Sequence, residues 1–164
     1  MSYNPIMGSQ PRSIVLVQLP IPPLGPAGVR GNVPLAAAYL KLWAEKQHLG
    51  ADFDIQILPG RDANTLGDHA LVSSVLARNP WMVGFTCYVW NIERTLWIAA
   101  ELKRRRPELL IVLGGPEITA DNQWVLDTLH YDYAVIGEGR TDVRGTARVT
   151  TKHSAKRTVG RSRY

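Results

Sequence analysis

The chain has 164 residues and a net charge of +5, and 45% of its residues are hydrophobic. This length suits one domain of ordinary size, and the hydrophobic content argues against global disorder. No apolar run approaches the roughly 18 residues that span a bilayer, and no signal peptide is visible, so we expect a cytoplasmic protein with no membrane partner.

The positive charge is concentrated at the end of the chain. Residues 1–139 contain 11 basic and 13 acidic residues, whereas residues 140–164 contain eight basic residues and one acidic residue. We therefore divide the chain into an N-terminal extension (1–12), a globular domain (13–139) and a basic tail (140–164). The tail has no apolar periodicity, so we expect it to be disordered. We interpret it as out-of-frame or degenerate sequence. A mildly acidic globular part argues against nucleic acid as a partner; the alternative, binding by the tail alone, predicts steep salt dependence.

Short apolar runs alternate with helical patterns along the chain. The strands are predicted at Ser13–Leu19, Phe53–Leu58, Met82–Thr86, Leu109–Leu113 and Tyr133–Ile136. The helices are predicted to begin near Asn32 (as N-cap) and end at Gly50, and to cover Thr65–Arg78, Asn91–Arg106 and Thr119–Leu129. Near-continuous apolar strands are typical of parallel strands that are buried on both faces.

This alternation predicts an α/β fold with a five-stranded parallel sheet and helices on both faces. Right-handed crossovers favour the flavodoxin-like strand order 2-1-3-4-5. Ligands of such sheets bind beyond the carboxyl ends of the strands, at the switch between the first and third strands. The loops at that edge are therefore the candidate functional segments.

Three of these loops have unusual compositions. The segment 20–32 after the first strand contains four prolines and three glycines, and it either faces a ligand or merely covers the sheet edge. The segment Cys87–Asn91 carries two aromatic residues, which suit a large flat apolar ligand or pack under the first loop. The paired glycines after the fourth strand let the backbone approach a ligand, and the following helix presents N–H groups to an anion.

Several common sites are absent from the sequence. There is no phosphate-binding P-loop motif, no dinucleotide-binding glycine motif and no nucleophile-elbow motif. We interpret the four histidines as surface or core residues. Cys87 is the one cysteine and is interpreted as a small buried hydrophobe, so this chain cannot hold an iron–sulfur cluster by itself.

Four stretches resemble the N-terminal cobalamin-binding domain of cobalamin-dependent radical S-adenosylmethionine enzymes. They are GNVPLAAAYLK (Gly31–Lys41), VGFTCYVWNIERTLWIA (Val83–Ala99), LGGPEIT (Leu113–Thr119) and VIGEG (Val135–Gly139). The resemblance implies a corrin ring across the carboxyl ends of the strands and a nucleotide tail along the sheet. The residues implied to face the corrin are Thr86, Tyr88, Val89, Trp90 and Asn91. Those implied to line the tail are Gly114, Gly115, Pro116 and Glu117, with Gly137, Glu138 and Gly139 beside it.

The sequence departs from related cobalamin proteins in two ways. Cobalamin-dependent mutases carry a cobalt-ligating histidine after the first strand, but no histidine lies between Ser13 and Lys46 here. The resemblance therefore implies cobalamin without a histidine lower ligand. The family also continues into a barrel whose three cysteines hold a [4Fe–4S] cluster, so we expect a truncated chain that binds cobalamin but has no activity alone.

Two other functions stay open on sequence grounds. The chain could be an inert remnant that folds without binding cofactor, because the cofactor is normally held between this domain and the barrel. It could instead be a flavin-type small-ligand module on the same fold, since aromatic residues at a switch-point crevice also suit flavin.

Overall fold

Six strands form one sheet in the computed structural model, which describes residues 10–22, 32–137 and 148–151. The strands are β1 (Arg12–Gln18), β2 (Phe53–Ile57), β3 (Met82–Thr86), β4 (Leu110–Gly114), β5 (Tyr133–Ile136) and β6 (Arg148–Thr151). Their order is β2-β1-β3-β4-β5-β6; the first five are parallel, and β6 is antiparallel to β5. The predicted flavodoxin-like order 2-1-3-4-5 is confirmed.

β1 lies between β2 and β3 in the sheet and pairs with each of them. Ile14 pairs with Ile55 of β2 and with Met82 of β3. The four residues from Ile14 to Val17 are all buried, as expected for a parallel strand covered on both faces. This arrangement produces the switch point between β1 and β3, where the direction of strand addition reverses.

The described part of the chain contains five α-helices. They are α1 (Leu35–Lys46), α2 (Gly60–Thr65), α3 (Asp68–Leu76), α4 (Ile92–Arg105) and α5 (Gln123–Leu126), with a 3-10 turn at Leu49–Ala51. The larger core lies between one sheet face and helices α2 to α5; it includes Val15, Val83, Ile111, Leu71 and Leu102. The smaller core lies on the other face, where Ala37 of α1 packs with Ile14 and Leu16.

Helix α4 follows its predicted pattern. Ile92, Leu96, Ala99 and Leu102 are buried, and Lys103 to Arg105 occupy the last turn. Cations near the carboxyl end of a helix interact favourably with the helix dipole. The amphipathic pattern therefore predicted both the buried face and the end of this helix.

Two other predicted helices are wrong in extent. The helix predicted over Thr65–Arg78 is shorter, Asp68–Leu76, because Leu66 and Gly67 before it are extended (ψ of 136° and 163°). The separate helix α2 that precedes it was not predicted. The helix predicted at Thr119–Leu129 shrinks to the four residues of α5. There the Asn122 side chain donates to the Glu117 carbonyl at 3.0 Å, and such side-chain hydrogen bonds favour turns over helix.

The predicted N-cap of α1 is also wrong. The helix begins at Leu35, and no side-chain hydrogen bond caps it. Asn32 instead donates to the Gln18 carbonyl at 3.2 Å and to Asn64 Oδ1 at 2.9 Å, and it accepts a hydrogen bond from Gln18 Nε2 at 3.0 Å. Its amide therefore ties the start of α1 to the end of β1 and to α2.

Strand β6 differs from the expectation of a tail without regular structure. Its four residues pair with β5 from Tyr133↔Thr151 to Ile136↔Arg148. The other residues of the predicted tail lie outside the described part of the chain. Within the described ranges, no helix has the length and hydrophobicity that crossing a bilayer requires.

Candidate functional site

The loops that follow β1, β3 and β4 meet at one edge of the sheet and are hydrogen-bonded to one another. The Cys87 amide donates to the Gly114 carbonyl at 2.7 Å, and the Glu117 amide donates to the Cys87 carbonyl at 3.2 Å. The Asn91 side-chain amide donates to the Leu19 carbonyl at 3.2 Å. These bonds join the three loops into one platform at the carboxyl ends of the strands.

A cavity of about 660 Å³ begins at this platform and extends over the face of the sheet beneath α1. Its size lies in the range of small-molecule and cofactor sites. The lining is mostly apolar and comes from α1 and four strands: Leu16, Ala36, Ala37, Tyr39, Leu40, Met82, Gly84, Phe85, Thr86, Val112, Gly114, Gly115, Val135 and Gly137.

The cavity exists because α1 covers only part of its sheet face. The buried residues of α2 to α5 all belong to the core on the opposite face. On the α1 side, the described helices leave Met82, Gly84 and Thr86 of β3 and Val112 of β4 only half-buried.

The two glycines after β4 have different structural roles. A Cβ atom on Gly114 would meet nothing within 4 Å, so the space above this residue is empty. Gly115 has a φ of +109°, and a Cβ there would lie 2.6 Å from the Cys87 carbonyl oxygen and 2.8 Å from its nitrogen. Gly115 is therefore required by the fold, whereas the absence of a side chain at Gly114 serves only to leave the cavity open.

The loop after β3 presents an aromatic pair. The Tyr88 and Trp90 rings are stacked with centroids 4.5 Å apart and planes 7° from parallel. Trp90 is 40% exposed, and Val89 between the two is 71% exposed. An exposed apolar loop at the edge of a cavity is typical of a binding surface rather than of a core.

Cys87 lies beneath this loop and is fully buried. Burial raises the pKa of its thiol to about 12, with the nearby Glu117 carboxylate acting in the same direction. A thiol with such a pKa is protonated at neutral pH and is a poor nucleophile. The side chain therefore acts as a small hydrophobe.

The predicted site residues fall into three groups. Thr86, Gly114, Gly115 and Gly137 line the cavity. Tyr88, Val89, Trp90, Pro116 and Glu117 lie on the loops beside it, and Asn91 is buried beneath them with 2% exposure. Glu138 and Gly139 lie outside the described residues. The helix that was expected to offer N–H groups to an anion does not begin directly after the paired glycines, since α5 starts only at Gln123.

Sequence reasoning missed the contribution of α1. Ala36, Ala37, Tyr39 and Leu40 line the cavity, and none of them was among the predicted site residues. A signal was present, because Leu35, Tyr39 and Leu42 are apolar on a second side of the helix and are each 60% exposed. A helix with more apolar residues than one buried face requires indicates an additional contact surface.

Comparison with known proteins gives one family and two relatives. Residues 32–146 match the B12 binding domain family. The chain is 30% identical over 114 residues to a 2-(S-pantetheinyl)-carbapenam-3-carboxylate methyltransferase of Streptantibioticus cattleyicolor, covering 68% of this chain and 16% of the relative. It is 32% identical over 89 residues to the cobalamin-dependent radical SAM methyltransferase TokK of Streptomyces tokunonensis, covering 52% of this chain and 12% of the relative. The chain therefore spans only a small part of these enzymes.

Proposed function

The chain belongs to the B12 binding domain family, and on that premise we propose that it binds cobalamin at the carboxyl edge of its sheet. The observation that carries this proposal is the cavity over β3 and β4. A cofactor that joins a flat ring to a long nucleotide tail needs an open edge for the ring and a channel beside the sheet for the tail. The exposed loop after β3 and the cavity supply these two features side by side.

The cavity would receive the nucleotide tail. Its volume of about 660 Å³ and its apolar lining suit a planar heterocycle, and the empty space above Gly114 continues into the loop region. Ala36 and Leu40 of α1 would contact one side of the tail, and the β3 and β4 surfaces would contact the other. Burying apolar surface on both sides is the main contribution that such a cavity makes to affinity.

The loop after β3 would contact the corrin ring. Val89 and Trp90 expose apolar surface at the sheet edge, and the stack of Trp90 on Tyr88 keeps the indole from rotating freely. A ring that lies over this loop would remove both side chains from water. Glu117, half-buried on the loop after β4, would supply a polar group next to the apolar contacts.

We infer that cobalt has no histidine ligand from the loop after β1. No histidine lies between Ser13 and Lys46, and none is among the residues that line the cavity. Cobalamin supplies a cobalt centre that can carry a methyl group or electrons. The role of this chain is then to bind and orient the cofactor and to shield its lower face with apolar side chains.

We further infer that the domain serves a larger radical S-adenosylmethionine enzyme that transfers methyl groups. Both relatives have methyltransferase in their names, and the matched stretch is a small fraction of each. The single cysteine of this sequence is buried in the domain core. The cysteines that bind an iron–sulfur cluster would therefore come from another domain, and this chain would contribute the cobalamin module.

The decisive experiment is a visible-spectrum titration of the chain with hydroxocobalamin, followed by gel filtration to measure retention. Gly114→Leu projects a side chain into the empty space and should abolish retention without unfolding the protein. Gly50→Leu is the matched control, because Gly50 is exposed at the opposite edge of the sheet and its Cβ would also meet nothing within 4 Å. Cobinamide, which lacks the nucleotide tail, tests the cavity separately.

The expected results are retained cobalamin with a base-off spectrum, unchanged retention in Gly50→Leu, and weaker binding of cobinamide that is insensitive to Gly114→Leu. A folded wild-type chain that retains no cobalamin would contradict the proposal and would favour an inert remnant. Retention of flavin mononucleotide in place of cobalamin would favour the flavin-type module.

A further inference from the structure

Asn91 is a polar residue that the proposed cofactor contacts do not explain. It lies at the junction of the loop after β3 and helix α4, and it is only 2% exposed. Its side chain therefore lies beneath the binding surface and not on it. A carboxamide buried to this degree is destabilising unless it is fully hydrogen-bonded.

Both the nitrogen and the oxygen of the Asn91 carboxamide form hydrogen bonds. Its Nδ2 donates to the Leu19 carbonyl at 3.2 Å and to the Thr86 carbonyl at 3.1 Å, which are the carbonyls just beyond β1 and at the end of β3. Its Oδ1 accepts a hydrogen bond from the Tyr88 amide at 2.8 Å. One side chain thus connects two strand ends and the first residue of the aromatic loop.

The backbone completes this arrangement. The amides of Asn91 and Ile92 both donate to the Tyr88 carbonyl at 3.0 Å. Tyr88 is therefore held through its N–H by the Asn91 side chain and through its carbonyl by the start of α4. With both of its backbone groups held, Tyr88 has a fixed backbone from which its ring projects to stack on Trp90.

We propose that Asn91 is a positioning residue that holds the Tyr88–Trp90 stack in place before any ligand binds. Asparagine suits this position because a carboxamide has two N–H donors and one oxygen acceptor, in the number that these three partners require. Aspartate would direct a carboxylate oxygen at two carbonyl oxygens. The consequence for affinity rests on the proposed cobalamin function, whereas the effect on the stack does not.

The test in the free protein uses near-ultraviolet circular dichroism to measure how much Trp90→Ala changes the spectrum. This change is measured twice, once in the wild-type protein and once in the Asn91→Ser variant. A large difference in the wild-type background and a much smaller one in the Asn91→Ser background is the expected result. An equal difference in both backgrounds would overturn the proposal, because the stack would then not depend on Asn91. Thr95→Val, a buried polar change one turn along α4, is the control and should leave the difference unchanged.

The test with ligand is a double-mutant cycle on the dissociation constant of hydroxocobalamin. Asn91→Ser should weaken binding about tenfold through loss of buried hydrogen bonds, and Trp90→Ala should weaken it about tenfold through loss of apolar contact with the ring. The double variant should bind hydroxocobalamin no more weakly than the single variant with the larger dissociation constant, because Asn91 acts through Trp90. Multiplicative effects would overturn the proposal. If the wild type binds no cobalamin, the proposed function fails and the dichroism result still decides the role of Asn91.

A loss of fold is distinguished with a second variant. Asn91→Asp keeps the acceptor for the Tyr88 amide and replaces the two donated bonds by a contact of a carboxylate oxygen with two carbonyl oxygens. If Asn91→Ser unfolds, the same two measurements are made on Asn91→Asp. Unfolding of both variants would overturn the proposal in favour of a purely structural role.

Discussion

Substitution of Gly115 by alanine tests the claim that the loops after β3 and β4 form one platform. The new Cβ would lie 2.6 Å from the Cys87 carbonyl oxygen and 2.8 Å from the Cys87 nitrogen. Both are backbone atoms in the middle of a hydrogen-bonded loop, so neither can rotate away as a flexible side chain would. The loops would have to separate, or Gly115 would have to leave its φ of +109°.

The magnitude follows from these two penalties. A residue with a side chain held in a sparsely populated backbone region costs about 1–3 kcal/mol. Separation of the loops weakens the two hydrogen bonds that connect Cys87 to Gly114 and Glu117, at about 0.5–1.5 kcal/mol each. We expect a total loss of up to about 2–6 kcal/mol in the free energy of unfolding, which is a large part of the roughly 5–15 kcal/mol of a typical domain.

The assay is urea denaturation followed by tryptophan fluorescence, with Gly114→Ala as the matched control. With a denaturant slope of about 2 kcal/mol/M, the Gly115→Ala midpoint should fall by about 1–3 M. Gly114→Ala should stay within about 0.5 kcal/mol of wild type, because its Cβ projects into empty space. Equal stability of the two variants would refute the argument that close backbone approach requires glycine at position 115.

Three further predictions follow from buried or paired groups. Thr95 Oγ1 is buried without a hydrogen-bond partner among the described residues, so Thr95→Val should raise the free energy of unfolding by about 1 kcal/mol; a loss of stability would indicate a hidden partner. Hydrogen bonds from Arg104 and Arg105 lower the Glu101 pKa to about 2, so its stabilising effect is present above the unfolded pKa near 4.5 and is lost as the pH falls toward 2. The urea midpoint should therefore drop less between pH 6 and pH 3 in Glu101→Gln than in wild type, and equal drops would contradict this. Cys87, with a pKa of about 12, should react with a thiol reagent at pH 8 only after unfolding, and rapid labelling of the native protein would show that it is accessible.

The five parallel strands and their order could be predicted from local pattern, whereas β6 was not predicted. Runs such as Ile14–Val17 are apolar at every position, which is typical of a parallel strand covered on both faces. Because crossover connections between parallel strands are right-handed, few topologies remain, and the flavodoxin-like order is one of them. Ligands of such sheets bind beyond the carboxyl ends of the strands, so the sequence also predicted the loops at Thr86 and Gly114 as candidate site segments.

Helix boundaries could not be predicted to the same degree. Asn32 has the composition of an N-cap but bonds to Gln18 and Asn64, which are distant in sequence. The α2–α3 break at Gly67 and the shortening of α5 likewise depend on local backbone states that an apolar periodicity does not report. Side-chain hydrogen bonds of asparagine compete with the backbone hydrogen bonds of a helix, and which of them forms depends on the partners that the fold brings near.

The sequence by itself determined the five parallel strands, their order and the edge where a ligand is expected, because these depend on hydrophobic periodicity and chain chirality. Only the tertiary structure decided how the site is built. It showed that α1 leaves part of one sheet face open, that Gly115 is required by the fold while the space above Gly114 is empty, and that Asn91 lies beneath the aromatic loop. Each of these depends on distances between segments far apart in the chain, and such distances are set by packing rather than by local pattern.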